Sequence, residues 1–372
     1  MKNIGIFTHD LYPFKPWGQG RYVYDLARCI RGKYRGNIFV FSPSGHINDD
    51  QHIQIFPGSH ESIGKNIMFS MKLASIIEKL INNYDLGLVH FQGGPGGLFL
   101  LKKPSVPLTY TVHHTYYQQS RYIRSQAWKK ILYKWEKFGY QKSSYIMCDS
   151  VSTRRIVLRY YGVRRIPCET IPVGVDKNRF FPLILERIPN SLFFLGRLES
   201  RKGIDFLIKT IPVIKDRLRD IQLFIGGDGV LKSYLYNFIK KNNLENNVHL
   251  LGTVDDSALN EWYNKVSMVI IPSVFEGFGL TAIEAMACGT PVIATDVDAL
   301  RDVIEDGVNG LLVQYNDVEA LSDKILYLLK NKAEQSKYSL NGKKKVQTIY
   351  NWNNISQDIM RIYEYVLGKS NY

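Results

Sequence analysis

Two carboxylates and the glycine turn between them form the most chemically pointed stretch of this chain. Glu276 stands just before Gly277-Phe278-Gly279-Leu280, and Glu284 follows after seven intervening residues. A glycine-spaced turn that enters a helix leaves backbone N–H groups with no carbonyl one turn back, a setting that favours an anion. Glu284 lies among Ala282, Ile283, Ala285, Met286 and Ala287. A carboxylate in such company is costly unless something hydrogen-bonds it. The stretch follows an apolar strand, Met268–Ile271, and its small-residue helix ends at Gly289, with Pro291 opening the next strand.

Three further loops carry related chemistry. The strand expected at Ser191–Leu195 runs into Gly196-Arg197-Leu-Glu-Ser-Arg-Lys202-Gly203. Arg197 as a planar fork and Lys202 as a point charge suit a diphosphate. The plain alternative is two solvated cations. The strand Ile221–Ile225 ends in Gly226-Gly227-Asp228-Gly229, which alone is ordinary turn chemistry, and Val248–Leu251 leads into Gly252-Thr253-Val254. Four loops at strand carboxyl ends, bearing glycine, cations and glutamate, together point to a site for phosphate and sugar.

Apolar strand-like runs alternate with helical stretches, the pattern of parallel sheets covered by helices. In the first half the expected strands are Asn3–Phe7, Asn37–Phe41, Leu86–His90, Leu108–Val112 and Ser144–Cys148. Open α/β sheets bind ligands outside the carboxyl ends of their strands. After the first strand, Gly18 and Gly20 precede a helix and would let the backbone approach a phosphate or sugar; a plain flexible loop is the competing reading. Phe91-Gln-Gly-Gly-Pro-Gly-Gly97 is a second loop made for close backbone contact. His113 and His114 stand at the end of Leu108–Val112, where a histidine can donate to or orient a hydroxyl. No cysteine or carboxylate cluster accompanies them, so a metal site is not expected.

The chain has 372 residues, enough for two domains, and a formal net charge of +14. That charge is unevenly placed: residues 1–185 hold 26 Lys and Arg against 11 Asp and Glu, and residues 186–372 hold 22 against 23. A basic first half calls for an anionic partner: membrane surface, nucleic acid or acidic substrate. Its most basic and aromatic part is Tyr116–Tyr145. There Ile123, Ala127, Ile131, Leu132, Trp135 and Phe138 repeat at helical spacing among Arg121, Arg124, Lys129, Lys130, Lys134 and Lys137. One reading packs the stripe on the sheet and leaves a solvated basic face. The other is an interfacial helix against anionic lipid. Arg154, Arg155, Arg159, Arg164 and Arg165 add a second basic cluster. No apolar run approaches the roughly 20 residues of a spanning helix. The start shows no signal-peptide plan, and the four scattered cysteines fit a reducing cytoplasm.

These motifs resemble those of the retaining family 4 glycosyltransferases. The resemblance rests on Glu276…Glu284 in Glu-Gly-Phe-Gly-Leu, Gly196-Arg197…Lys202-Gly203, Gly226–Gly229, Thr111-Val-His113 and the Gly18/Gly20 loop. Ile171-Pro-Val-Gly-Val-Asp176 is similar to the family's inter-domain segment, with Val173 where asparagine is usual. The resemblance implies an α/β GT-B fold, two Rossmann-like domains facing a central cleft. Residues 1–172 would bind the acceptor and 173–351 the donor, with 352–368 crossing back to the first domain. It implies that Arg197 and Lys202 bind the donor diphosphate and that Glu284 takes the ribose hydroxyls. Glu276, with the amides of Phe278, Gly279 and Leu280, would hold the transferred sugar and its phosphate. His113, before His114, would contact that sugar near the reacting carbon. Gly18 and Gly20 would approach the diphosphate or acceptor, and Gly227, Asp228, Gly277 and Val254 would complete the donor site.

The expected activity is transfer of a hexose-type sugar from a UDP- or GDP-sugar co-substrate to an acceptor hydroxyl, with retention and without a metal cofactor. A lipid-linked or envelope glycan acceptor at the cytoplasmic membrane face fits the basic first half better than nucleic acid does. The competing readings are a relative of the same fold acting as a nucleotide-sugar epimerase or phosphorylase, and a non-catalytic basic module binding membrane or nucleic acid.

Overall fold

The computed structural model describes residues 2–12, 18–43, 50–55, 63–93, 102–122 and 129–369. The chain divides into two compact units, Met1–Gly174 with Trp352–Tyr372, and Val175–Asn351.

The first unit is built on seven parallel strands: β1 (Asn3–Phe7), β2 (Ile38–Ser42), β3 (His52–Gln54), β4 (Leu86–Gln92), β5 (Leu108–Val112), β6 (Tyr145–Cys148) and β7 (Cys168–Thr170), in spatial order β3-β2-β1-β4-β5-β6-β7. Strands β4, β5 and β6 are buried along their whole length, as a sheet covered on both faces requires. The order reverses between β1 and β4, which are neighbours. The core on this sheet gathers Phe7, Phe41, Phe91, Tyr110 and Tyr140 with Phe69, Leu73 and Ile77 of helix Ile63–Asn83.

Helix Trp352–Lys369 belongs to this unit. Trp352, Ile355, Ile359, Ile362, Tyr363 and Val366, at helical spacing, are buried and form its packing face. That face lies on helix Gln19–Ile30 and on β4: Trp352 meets the Tyr22 ring at 5.5 Å, and the Tyr363 hydroxyl lies 2.7 Å from His90 Nδ1.

The second unit carries six parallel strands: β8 (Ser191–Leu195), β9 (Gln222–Gly226), β10 (Val248–Gly252), β11 (Met268–Ile271), β12 (Val292–Thr295) and β13 (Leu311–Val313), in order β10-β9-β8-β11-β12-β13. This is the doubly wound order, with its switch point between β8 and β11. Helices Ile204–Arg217 and Val318–Lys330 cover one face, burying Ile208, Ile211, Ile325 and Leu328 against Leu192, Ile225 and Ile270. Short helix Leu280–Ala287 buries Ala282, Ile283, Ala285, Met286 and Ala287, three of them alanines.

The most basic segment forms two helices, Tyr116–Tyr122 and Lys130–Gln141; Ile123, Arg124 and Ala127 lie outside the described residues. The second helix does not bury the stripe that its spacing suggests. Leu132, Glu136, Gly139 and Tyr140 face inward, whereas Ile131 (69% exposed), Trp135 (40%) and Phe138 (42%) face outward. Its inward carboxylate is hydrogen-bonded on several sides. Glu136 accepts from the Tyr161 hydroxyl, from Tyr140 Oη at 3.1 Å and from the Tyr116 amide at 2.9 Å. Those donors make burial of a charge-bearing group tolerable where an apolar residue would be the ordinary choice.

Candidate active site

In the second unit the four loops that follow β8, β9, β10 and β11 meet at one carboxyl edge, and backbone hydrogen bonds stitch them together. Gly196 N donates to Gly226 O (3.0 Å), Leu198 N to Asp228 O (2.9 Å), Gly227 N to Gly252 O (2.7 Å) and Val274 N to Arg201 O (2.9 Å). Two glycines make this stacking possible. Gly227, at φ +134°, would place a Cβ 1.9 Å from the Gly196 carbonyl oxygen; Gly203, at φ +69°, would place one 1.8 Å from the Pro272 carbonyl oxygen. Both therefore serve loop-to-loop contact, a role that spacing alone does not separate from approach to a phosphate. Val254 is buried and would be 2.8 Å from a Cβ on Gly226, so it packs under the same loops. Asp228 is exposed, accepts from Gly229 N (2.8 Å) and pairs with Lys232 (3.3 Å).

At the switch point the β8 and β11 loops are joined by side chains. Lys202 Nζ lies 2.6 Å from Glu276 Oε1, and Ser273 Oγ donates to the same oxygen at 2.7 Å. Burial alone would raise the Glu276 pKa; the charges of Lys202 and Arg201, with hydrogen bonds from Lys202 and Ser273, outweigh it and hold the carboxyl below its usual range. Glu276 is therefore an anion at neutral pH, oriented by two donors on one oxygen. Arg201 grips the turn from the other side, donating to Phe275 O (3.2 Å) and Glu199 Oε1 (3.0 Å). Arg197 stands apart from this cluster: its side chain is 70% exposed and pairs with Glu199 at 3.1 Å.

Gly279 caps helix Leu280–Ala287, which places the Leu280 amide at a helix start, where amides lack intrahelical partners. Phe278 is buried against Tyr350, ring centroids 5.6 Å apart, and fixes the turn that begins at Gly277. Glu284 is half-buried, on the edge of the helix's apolar face, and accepts from the Tyr263 hydroxyl at 2.8 Å. The hydrogen bond that its apolar neighbours demanded is thus supplied in part by the protein.

The first unit places a second cluster at the carboxyl edge of its own sheet. His113, 8% exposed, has Nε2 3.0 Å from Gln92 Oε1 and Nδ1 3.4 Å from Asp149 Oδ2, and its ring meets the Tyr22 ring edge-on at 4.8 Å. Burial, then the neighbouring His114, His90 and His9, pull its pKa down to about 3, so the ring is neutral at working pH. His114 is half-buried beside it. Gly18 caps helix Gln19–Ile30 at the β1 end of the same edge, and Gly20 lies buried in the first turn. His9 and Asp10, the next residues along from β1, pair at 3.3 Å. Of the loop after β4, Gly94, Pro95, Gly96 and Gly97 lie outside the described residues.

Several residues of these clusters were not singled out from sequence. Asp149 and Ser273 stand at strand carboxyl ends, where position alone would have marked them. Arg201 sits inside the motif of Arg197 and Lys202. Tyr263 reaches Glu284 from a separate helix and left no local signal. Among the described residues no group of three or more His, Cys, Asp or Glu has a metal-binding arrangement. No helix of the described residues is long and apolar enough to cross a membrane.

Two parallel sheets of Rossmann type, each with polar loops on its carboxyl edge, define the GT-B class. The solved structure of sucrose-phosphate synthase from Thermosynechococcus elongatus superposes with a TM-score of 0.89 at 22% identity, over 99% of this chain and 100% of that one. Residues 17–179 match the family model "Glycosyltransferase Family 4", and residues 177–345 match "Glycosyl transferases group 1". An uncharacterized glycosyltransferase of Methanocaldococcus jannaschii is 30% identical over 331 residues, 84% of this chain and 89% of that one. The phosphatidyl-myo-inositol mannosyltransferase of Mycobacterium leprae is 36% identical over 201 residues, 52% of each chain. The chain belongs to the family 4, group 1 glycosyltransferases.

Proposed function

We propose that this glycosyltransferase moves a hexose-type sugar from a UDP- or GDP-sugar to a hydroxyl of a glycan or glycolipid acceptor, with retention of configuration. The observation that carries the donor assignment is the Lys202–Glu276 pair at the switch point of the second sheet. A nucleotide diphosphate sugar supplies both partners with replacements. Its diphosphate takes the lysine, and hydroxyls of its sugar donate to the carboxylate. Arg197, exposed and paired with Glu199, would close on the diphosphate as a fork. The amides of Phe278, Gly279 and Leu280 face the phosphate, and Glu284 takes ribose hydroxyls beside Tyr263.

In this reading negative charge grows on the departing diphosphate and is met by Lys202, Arg197 and the helix start at Gly279, with no metal required. Glu276 binds sugar and is not the nucleophile; the leaving phosphate draws the proton from the acceptor on the same face. His113 contacts the transferred sugar near the reacting carbon.

The acceptor side draws on the first unit's basic surface. Ile131, Trp135 and Phe138 are exposed on a helix that also carries Lys130, Lys134 and Lys137. Lys142 caps the Phe138 ring at 3.8 Å. Apolar and aromatic side chains ringed by lysines suit the interface of an anionic bilayer. A lipid-linked acceptor at the cytoplasmic membrane face fits, and the mycobacterial relative is named for a lipid substrate. Incubation with a panel of nucleotide sugars and lipid-linked acceptors, with the anomeric proton coupling read by NMR, tests the proposal. An axial-to-axial product supports retention; free sugar and nucleotide with every acceptor, or an inverted linkage, would count against it.

A further inference from the structure

We infer that Asp149 decides which ring nitrogen of His113 carries the proton, as the end of a buried hydrogen-bond chain that starts at Tyr363 in the C-terminal helix. The catalytic consequence rests on the reading above that His113 contacts the sugar; the tautomer itself does not.

His113 has an oxygen on each side: Asp149 Oδ2 at 3.4 Å from Nδ1 and Gln92 Oε1 at 3.0 Å from Nε2. A neutral imidazole has one N–H and one lone pair, so it cannot donate to both. Asp149 is 2% exposed, and its carboxylate can only accept. A lone pair on Nδ1 would face that anion directly, whereas an N–H there satisfies it. Gln92 is different, because an amide offers oxygen or NH2 after a half-turn that leaves its shape unchanged. The proton therefore belongs on Nδ1, and Gln92 turns its NH2 toward His113 Nε2.

The turned amide also resolves the next contact. The Gln92 side-chain atom next to His90 Nε2 lies 3.4 Å from it. With the amide turned, oxygen stands there instead and accepts from His90 Nε2–H, which also reaches Thr111 Oγ1 at 2.8 Å. His90 Nδ1 is then the acceptor for the Tyr363 hydroxyl at 2.7 Å. The donors run one way: Tyr363 to His90, the His90 Nε2–H shared between Thr111 (the nearer, 2.8 Å) and Gln92 (3.4 Å), Gln92 to His113 and His113 to Asp149. Gln92, His90 and Thr111 are fully buried, so no water competes along the chain. Asp149 is a positioning residue, and it leaves Nε2 as the nitrogen that accepts.

The test is histidine-selective 15N NMR on the full chain, which has eight histidines, with His113→Gln to assign the signal. The parent should show His113 protonated at Nδ1, and Asp149→Leu should move the proton to Nε2. A parent spectrum with the proton on Nε2 overturns the inference even if Asp149→Leu does not fold, and so does a tautomer unchanged in a folded Asp149→Leu. Turnover separates the two layers. The expected loss in Asp149→Leu is about tenfold or more in kcat with little change in KM for the nucleotide sugar. A proton that moves while kcat holds keeps the tautomer assignment and removes His113 from the sugar.

Discussion

Lys202 Nζ sits 2.6 Å from Glu276 Oε1 and joins the loops that follow β8 and β11, the two strands at which the second sheet reverses its order. The lysine is 20% exposed and the glutamate 13%, so the pair is screened far less than a surface ion pair. Removing one member of a buried pair leaves the other uncompensated and costs about 3–5 kcal/mol. Lys202→Met and Glu276→Gln should each destabilise the protein. The double variant should lose less than the sum, with a coupling of about 1–3 kcal/mol in a denaturation cycle. Because the Glu276 pKa is held below its unfolded value, its contribution is present above pH about 4.5 and is lost as pH falls through the folded value. Glu276→Gln should remove that part of the acid sensitivity. Turnover should fall by about 100-fold or more in both single variants.

The loop-stacking glycines give an ordered series. Gly227→Ala and Gly203→Ala each drive a Cβ into a carbonyl oxygen, whereas Gly252, at φ +70°, has nothing within 4 Å. Gly252→Ala should cost only the left-handed strain of about 1–2 kcal/mol. The other two should cost several kcal/mol, a melting-temperature drop of roughly 6 °C or more. Calorimetry of the three variants checks the order.

Glu136 supplies a pH signature of the opposite sign to that of Glu276. Burial raises its pKa to about 7, against the hydrogen bonds of Tyr161, Tyr116 and Tyr140 and the charge of Lys129. Between pH about 4.5 and 7 the folded state binds the extra proton, so this residue's contribution to stability declines as pH rises. Relative to the parent, Glu136→Gln should gain stability across that window, by at most about 1.4 kcal/mol per pH unit. Equal shifts at pH 5 and pH 7.5 would show that Glu136 titrates normally.

For the outward face of helix Lys130–Gln141, the measurement is co-sedimentation with vesicles rich in anionic lipid at low salt. The parent should bind, and Trp135→Ser with Phe138→Ser should bind at least about tenfold less, since each buried aromatic contributes roughly 1.5–3 kcal/mol. Binding that is absent in the parent, or unchanged in the variant, removes the membrane from the account.

Both sheets could be read from the sequence where strands run to four or more buried residues, as at Asn3–Phe7 and Met268–Ile271. The three-residue strands His52–Gln54, Cys168–Thr170 and Leu311–Val313 could not, because a short edge strand has too few residues to set a pattern. The apolar stripe of Trp352–Lys369 follows helical spacing, and its residues are buried. That of Lys130–Gln141 misled, since the inward face is completed by Glu136 and made tolerable by tyrosines as distant as Tyr161. At the site, the glycine-bearing loops were legible at their strand ends, but spacing alone did not show that Gly227 meets the Gly196 backbone. Partners that come from other elements, such as Tyr263 on Glu284, depend on tertiary packing and left no trace in spacing.

The Lys202–Glu276 loops are proposed to hold a nucleotide sugar. Thermal unfolding of the parent and of Lys202→Met with UDP-, GDP- and ADP-sugars tests it most directly. At about 100 times its dissociation constant a ligand stabilises by roughly 2.7 kcal/mol. The parent should rise in melting temperature with at least one UDP- or GDP-sugar, and Lys202→Met should lose that rise. No shift with any nucleotide sugar, or an equal shift in Lys202→Met, would contradict the account.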